Sequence, residues 1–356
     1  MSIIIRKLKS KATEEILGDT GNNATVHGIY HLLHVFIFCT TCSENTIPAF
    51  LSVLDGGVDT VELDLLLSQD NAIVVHHNYR LNPMTSLYDD GSSILTDDMK
   101  LDYKPCGNHL GGEDVRLTLV NSLTLSELQS YDVGSLINNE KYPKSAVVKH
   151  SRIPTLIELF EAVSGYYKDH PEWGNMHHIR FNLEIKRESL KPGETSNLDF
   201  FIPEILRIVD KFGMQDNVKY SSFDMAVLRH LRGITKTAII GMLYEPCIED
   251  EPHIVPLATN VVVTDTSPDY QPSERLRYMI SLALDIGVDI ISTNHKHLST
   301  RDDISFLKFA QDGIKRFCVV CYTVNERADW GKCMDWGVDG IITDFPLELV
   351  DYLNAL

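Results

Sequence analysis

The chain has 356 residues, 44% of them hydrophobic and 23% charged, and a formal net charge of −18. That length suits one large α/β barrel or two smaller domains, with enough apolar material for a large core. No block of Lys or Arg interrupts the acidic balance, which argues against nucleic acid or an anionic membrane as the main partner. A small anionic substrate held by a local metal is compatible with it.

In chain order, residues 1–25 read as an N-terminal extension. The opening MSIIIRKLKSKATEEI is basic but lacks a sustained apolar stretch with a small-residue cleavage site, so it makes a poor signal peptide. The longest apolar run, 29–39 (IYHLLHVFIFC), carries His31 and His34 and is too short to span a bilayer. A cytoplasmic protein without integral membrane contact is the expectation. Seven cysteines, an odd number, favour a reducing compartment. Cys39/Cys42 and Cys318/Cys321 form two Cys-x-x-Cys pairs, a spacing found in zinc sites. FCVVCYTV reads as a strand, however, and residues three apart on a strand point to opposite faces, which favours buried thiols.

The first strand candidate is 31–38 and the second is 59–65, DTVELDL. On the second, Glu62 and Asp64 are i and i+2 and share a face. The Asp70-Asn71 pair that follows tolerates the left-handed conformations of a two-residue hairpin turn. A turn at 70–71 pairs position 64 with 77 and brings His77 opposite Asp64. The bland alternative, an exposed edge strand with an incidental histidine, fits poorly with the unbroken apolar runs LDLLL and AIVV. Two same-face carboxylates at the end of a buried strand are suited to a hard cation.

The stretch 79–152 breaks the rhythm and reads as an insertion after the second strand. Further strand candidates follow at 179–186, 217–223, 236–244, 289–294, 317–324 and 340–344. In the first of these, FNLEIK, Glu184 and Lys186 repeat the i, i+2 spacing. Between the strands lie amphipathic helical patterns: PTLIELFEAV with Pro154 at its start, PEILRIVDKFG closed by Gly213, and SERLRYMISLALDIG opened by Ser273 as N-cap. The phrase Gly-Val-Asp recurs at 57–59, 287–289 and 337–339, each time after a helical pattern and before an apolar run. Repeated helix–Gly–strand junctions imply parallel strands. Eight of them alternating with helices imply a TIM-type (β/α)₈ barrel over 26–356, with the insertion inside it. An open doubly wound sheet is the alternative, but no Gly-rich dinucleotide loop follows an early strand.

VELDLLLSQDNAIVVHHNYRLNP, FNLEIK, SSFD and YTVNERADWGKCMDWGVDGIITDFP together resemble the glycerophosphodiester phosphodiesterases, collinearly over about residues 43–350. SENTIPAF is similar to that family's Pro-Glu-Asn-Thr segment, with Ser43 in the proline position. The resemblance implies a TIM-type barrel whose active site lies at the C-terminal ends of the strands. It implies that Glu62, Asp64 and Glu184 ligate one divalent cation, Mg²⁺ or Ca²⁺, and that His77 is the second of two catalytic histidines. Lys186 matches a phosphate-side lysine, Glu44 a polar residue near the substrate, and Tyr322 a pocket-lining position often held by tryptophan. Asn78 replaces the Asp usual after the histidine.

One motif departs from the pattern. The family's first histidine belongs to a His-Arg-Gly tripeptide nine residues before the Glu44 position, where this chain has Val35-Phe36-Ile37. His34 is one residue out of register, which on a strand means the opposite face. Either a bulge returns His34 to the site, or the barrel holds a half-built catalytic pair. The expected activity is metal-dependent hydrolysis of small glycerophosphodiesters to an alcohol and glycerol 3-phosphate. The alternatives are a non-catalytic barrel that binds metal and a phosphodiester or a protein partner, and a phospholipase D-like activity on lysophospholipids.

Overall fold

The computed structural model describes residues 42–55, 58, 60–101, 116–136, 145–187, 197–245, 266–267, 269–309 and 317–356, and the backbone of 34–37. The extension 1–25, His31 and Cys39 lie outside the described residues.

Short apolar runs alternating with one-faced helices bury both sides only in a helix-flanked parallel sheet. The strands are β1 (His34–Ile37), β2 (Thr60–Leu67), β3 (Ile73–Val75), β4 (Leu87–Tyr88), β5 (Tyr131–Asp132), β6 (Arg180–Ile185), β7 (Val218–Ser222), β8 (Ile239–Tyr244), β9 (Ile290–Asn294), β10 (Cys318–Tyr322) and β11 (Gly340–Thr343). The main sheet runs β1-β11-β10-β9-β8-β7-β6-β2-β3, parallel throughout except for the β2–β3 hairpin. β1 also lies against β2, so the sheet curls back on itself. Each of the eight parallel strands is followed by a helix: α1 (Ile47–Leu54), α2 (Leu156–Asp169), α3 (Leu198–Lys211), α4 (Met225–Ile234), α5 (Glu274–Ile286), α6 (Arg301–Lys308), α7 (Arg327–Trp336) and α8 (Pro346–Asn354). This is a TIM-type barrel.

Side-chain alternation separates two apolar layers. Val61, Leu63 and Leu65 of β2 pack outward with Leu159, Phe160 and Phe181 under the helices. Leu243, Ile290, Val320, Tyr322 and Ile342 form a second cluster with Phe223, drawn from the opposite strand faces. Cys318 packs with that second cluster and Cys321 with the first, the split that a strand demands of residues three apart. The stretch after the hairpin builds a small core of its own, Leu66, Val74, Leu81, Val120, Leu128, Val133 and Ile153, seated on β2 and β3.

The helix starts follow side-chain caps. Thr155, rather than Pro154, caps α2 in a capping box with Glu158, and the Pro154 carbonyl instead accepts a bond from the Val75 N–H at 2.8 Å. Ser273 caps α5, with its hydroxyl accepting from the Leu276 N–H. α3 begins at Leu198 behind an Asn197 cap, which leaves Pro203 inside the helix.

The Gly-Val-Asp phrase has a common physical task at its two described copies. Gly287 and Gly337 take φ of +77° and +81° and end α5 and α7 in the left-handed conformation. The valine is buried, and the aspartate locks strand to helix. Asp289 accepts the Ile240 N–H at 2.9 Å and pairs with Arg232 at 2.7 Å, while Arg232 Nε donates to the Gly287 carbonyl. Asp339 accepts the Val319 N–H at 2.8 Å and pairs with Lys308 at 2.8 Å, and Lys308 also donates to the Gly337 carbonyl. Each helix cation thus reaches the junction one unit further along the barrel. Gly57 and Asp59 of the first copy lie outside the described residues.

The two locks differ in burial: the Lys308 and Asp339 side chains are 10% and 9% exposed, whereas Asp289 is 43% exposed. Asp339→Ala strands a buried ammonium and is expected to cost about 3 kcal/mol. Asp289→Ala is expected to cost about 1 kcal/mol, since solvent screens the exposed pair. Urea unfolding of both variants checks the order; equal losses would show that backbone acceptance, common to both, outweighs the ion pair.

Candidate active site

β2 is buried along its whole length, so a polar side chain on it must find its partners inside the protein. Register with β6 pairs Glu62 with Asn182 and Asp64 with Glu184, and residues paired in this way project to the same side. Ligand oxygens of Glu62, Asp64 and Glu184 all lie within 4.8 Å of one another, with exposures of 4%, 0% and 8%. Lys186, just beyond the end of β6, places Nζ 3.3 Å from Asp64 Oδ1 and 3.4 Å from Glu184 Oε1. The ammonium also lies over the Tyr79 ring at 5.9 Å. The four residues singled out as metal- and phosphate-side in the sequence therefore meet in one place.

Three buried carboxylates face one ammonium, and the protonation equilibria register the imbalance. Burial first, then Asp64 and Glu184, raises Glu62 well above the ordinary carboxylate value, against the pull of Lys186. Burial raises Glu184 to about 7, with Lys186 opposing and Asp64 adding to the rise. Burial alone would lower Lys186, but Asp64 and Glu184 outweigh it and hold the ammonium above its usual range. Glu62 Oε2 is buried with no hydrogen-bond partner among the described residues. A set of three carboxylates with an unsatisfied oxygen and a deficit of positive charge fits a hard divalent cation. Asn45, carried at φ +54° in the turn before α1, donates Nδ2–H to Asp64 Oδ2 at 2.9 Å and so fixes that carboxylate. In the sequence Asn45 carries no mark of this role beyond its place next to Glu44 in the SENT segment.

The hairpin differs from expectation by one residue. Its loop is Gln69-Asp70-Asn71, three residues rather than two, with Asn71 at φ +68° and its N–H donated to the Ser68 carbonyl. Ser68 brackets the loop by exchanging backbone and hydroxyl bonds with Ala72. The ladder therefore pairs Leu65 with Val75 and Leu67 with Ile73, and His76 N–H donates to the Asp64 carbonyl at 3.0 Å. His76, not His77, stands opposite Asp64. His77 follows it as a half-buried residue, lining one small pocket together with Glu44, Asn45, His76 and Thr85. The correction has a simple cause: Asp-Asn tolerates left-handed geometry in either loop length, and the Ser68 bonds select the longer one.

Tyr322 ends β10, buried, with its ring edge-on to Phe223 at 5.7 Å. Its hydroxyl lies 2.7 Å from the Tyr244 carbonyl and 3.1 Å from Glu245 Oε2. Burial and then Glu245 raise its phenol well above the ordinary value, and Glu184 adds to that rise. His34 opens β1, its backbone in register with Gly340 of β11; its side chain lies outside the described residues.

The raised Glu184 ties stability to pH. A neutral Glu184 stabilises the metal-free chain fully below about 4.5, and that contribution is lost as pH rises through about 7. A bound cation requires the ionised form and reverses the trend. Thermal melts are expected to show a metal-free midpoint that falls between about pH 5 and 8, and a midpoint gain from Mg²⁺ or Ca²⁺ that grows over the same interval. A gain independent of pH would remove Glu184 from the site, and no gain at any pH would remove the site itself.

Residues 28–348 match the model of the glycerophosphoryl diester phosphodiesterase family. The chain is 32% identical to a glycerophosphodiester phosphodiesterase of Arabidopsis thaliana over 327 residues, covering 87% of this chain and 82% of that one. It is 25% identical to a glycerophosphodiester phosphodiesterase of Caldanaerobacter subterraneus, over 87% of this chain and 92% of that one. Its fold is similar to that of an Oleispira antarctica phosphodiesterase solved with the product sn-glycerol-3-phosphate, at TM-score 0.58 and 18% identity, covering 91% and 97% of the two chains. A barrel with three clustered carboxylates, matched from residue 28 to residue 348, belongs to the glycerophosphoryl diester phosphodiesterase family.

Proposed function

We propose that this chain hydrolyses glycerophosphodiesters to an alcohol and glycerol 3-phosphate, with one divalent cation held by Glu62, Asp64 and Glu184. The observation that carries this reading is the convergence of those three buried carboxylates with Lys186 at the end of β6. A divalent cation held by these three carboxylates would neutralise charge on a phosphodiester and lower the pKa of a nearby hydroxyl. Lys186 offsets charge on the phosphate oxygens as the ester bond breaks, and the buried position strengthens that effect. Asn45 keeps the Asp64 carboxylate oriented through its hydrogen bond. His77, in the small pocket with Glu44, moves a proton at the attacking or leaving oxygen. Glu44 meets the glycerol hydroxyls. Tyr322 walls the opposite side of the substrate.

A non-catalytic reading draws on one specific feature, the Val35-Phe36-Ile37 sequence where the family carries His-Arg-Gly. It leaves metal and phosphodiester binding intact and removes turnover.

Release of glycerol 3-phosphate from glycerophosphocholine, with Mg²⁺, with Ca²⁺ and with EDTA, separates the two readings. Metal-dependent turnover is expected, with Glu62→Gln losing at least about 10²-fold in kcat/KM and His77→Ala about 10²–10⁴-fold. Metal-stabilised protein without turnover would instead establish the non-catalytic barrel. Preferential turnover of a lysophosphatidylcholine run in parallel would move the substrate to the lysophospholipids.

A further inference from the structure

His76 is a buried polar group beside the carboxylates that the mechanism above leaves without a task. Its backbone N–H bonds the Asp64 carbonyl, which sets its side chain on the same side of the hairpin as Asp64. The residue is 6% exposed and lines the pocket shared by Glu44, Asn45 and His77. One ring nitrogen is bonded to the backbone of Arg80, and the other, Nε2, is buried with no hydrogen-bond partner among the described residues. Arg80 is itself fixed, with Nη1 donating to the Leu117 carbonyl at 2.7 Å.

The bond to Arg80 decides the tautomer. A backbone carbonyl only accepts, so Nδ1 carries the proton and Nε2 is left as a bare acceptor. A charged ring would instead bury an unpaired N–H donor at Nε2, which costs more than a bare lone pair. A buried, oriented acceptor with nothing to accept from is uncommon in a folded protein, and at a binding site it marks the place of a ligand donor. The ligand oxygens clustered within 4.8 Å of one another belong to Glu62, Asp64 and Glu184, and His76 is not in that group.

We propose that His76 Nε2 accepts a hydrogen bond from a hydroxyl of the bound phosphate ester, so that the site selects esters of a polyol over those of a simple alcohol. The inference rests on the phosphodiesterase reading of this site, and it assigns to the hairpin an imidazole contact that the first strand's Val35-Phe36-Ile37 does not supply. His76 and His77, adjacent in sequence and lining the same pocket, then divide the work. His76 recognises the hydroxyl, and His77 handles the proton.

Titration calorimetry of the full chain in Mg²⁺, with sn-glycerol 3-phosphate and with propyl phosphate as probes, tests the assignment. Wild-type protein is expected to prefer glycerol 3-phosphate. His76→Phe is expected to lose about tenfold in affinity for it, the scale of one buried hydrogen bond, with propyl phosphate affinity unchanged. His76→Gln, which keeps an acceptor oxygen, is expected to retain most of the preference and serves as the comparison if the Phe chain does not fold. A preference that survives in the Phe variant, a loss equal for both probes, or a preference absent from wild type would overturn the proposal while leaving the phosphodiesterase reading in place. Failure of wild type to bind either phosphate would overturn both.

Discussion

The arrangement around Asp64 depends on a charge imbalance: among the described residues, three buried carboxylates gather around the Lys186 ammonium. Two negative charges in excess, held away from water, are costly unless protons or a cation neutralise them. The raised positions of Glu62 and Glu184 express that cost in the metal-free chain. Lys186 cannot leave without making it worse, and Asn45 cannot turn without releasing a fully buried carboxylate. A site of this kind is held ready for an ion by the same burial that makes it unfavourable without one.

Such a load requires rigid supports, and the barrel supplies them at its strand entrances. The Asp289 and Asp339 junctions tie a helix cation, a left-handed glycine and a neighbouring strand's N–H into one unit. These contacts fix the register of β8 with β9 and of β10 with β11, while the β2–β6 ladder brings Asp64 and Glu184 side by side. A slip of one residue on β6 would turn Glu184 into the helix layer and Leu183 or Ile185 toward the carboxylates.

The hairpin shows how one loop residue decides which side chain stands opposite Asp64. Three loop residues instead of two exchange the places of His76 and His77 relative to Asp64. One imidazole is then locked by the Arg80 backbone beside the carboxylates, and the other sits half-buried in the pocket next to it. Both lie close to Glu44 and Asn45, on the turn ahead of α1, so the polar groups of the site come from neighbouring strand ends, as is usual for this barrel.

Much of this was legible in the amino-acid order. The same-face pairs Glu62/Asp64 and Glu184/Lys186 follow from the period of a strand, and the helix–Gly-Val-Asp–strand rhythm announces parallel strands, because both are local consequences of backbone geometry. The barrel and the clustering of the carboxylates came out as read. The loop length at 69–71 was not legible, since Asp-Asn permits two turn geometries and the choice was made by Ser68 bonds formed only in the closed hairpin. The start of α2 went to Thr155 because a capping box outweighs a nearby proline, and that bond too exists only once the turn is made. Asn45 and His76 are ordinary residues in sequence and acquire roles through what surrounds them. Periodicity determined which side chains face one another; the tertiary structure decided which of them are left buried with a charge or a lone pair to satisfy, because desolvation is a property of the packed chain and not of its order.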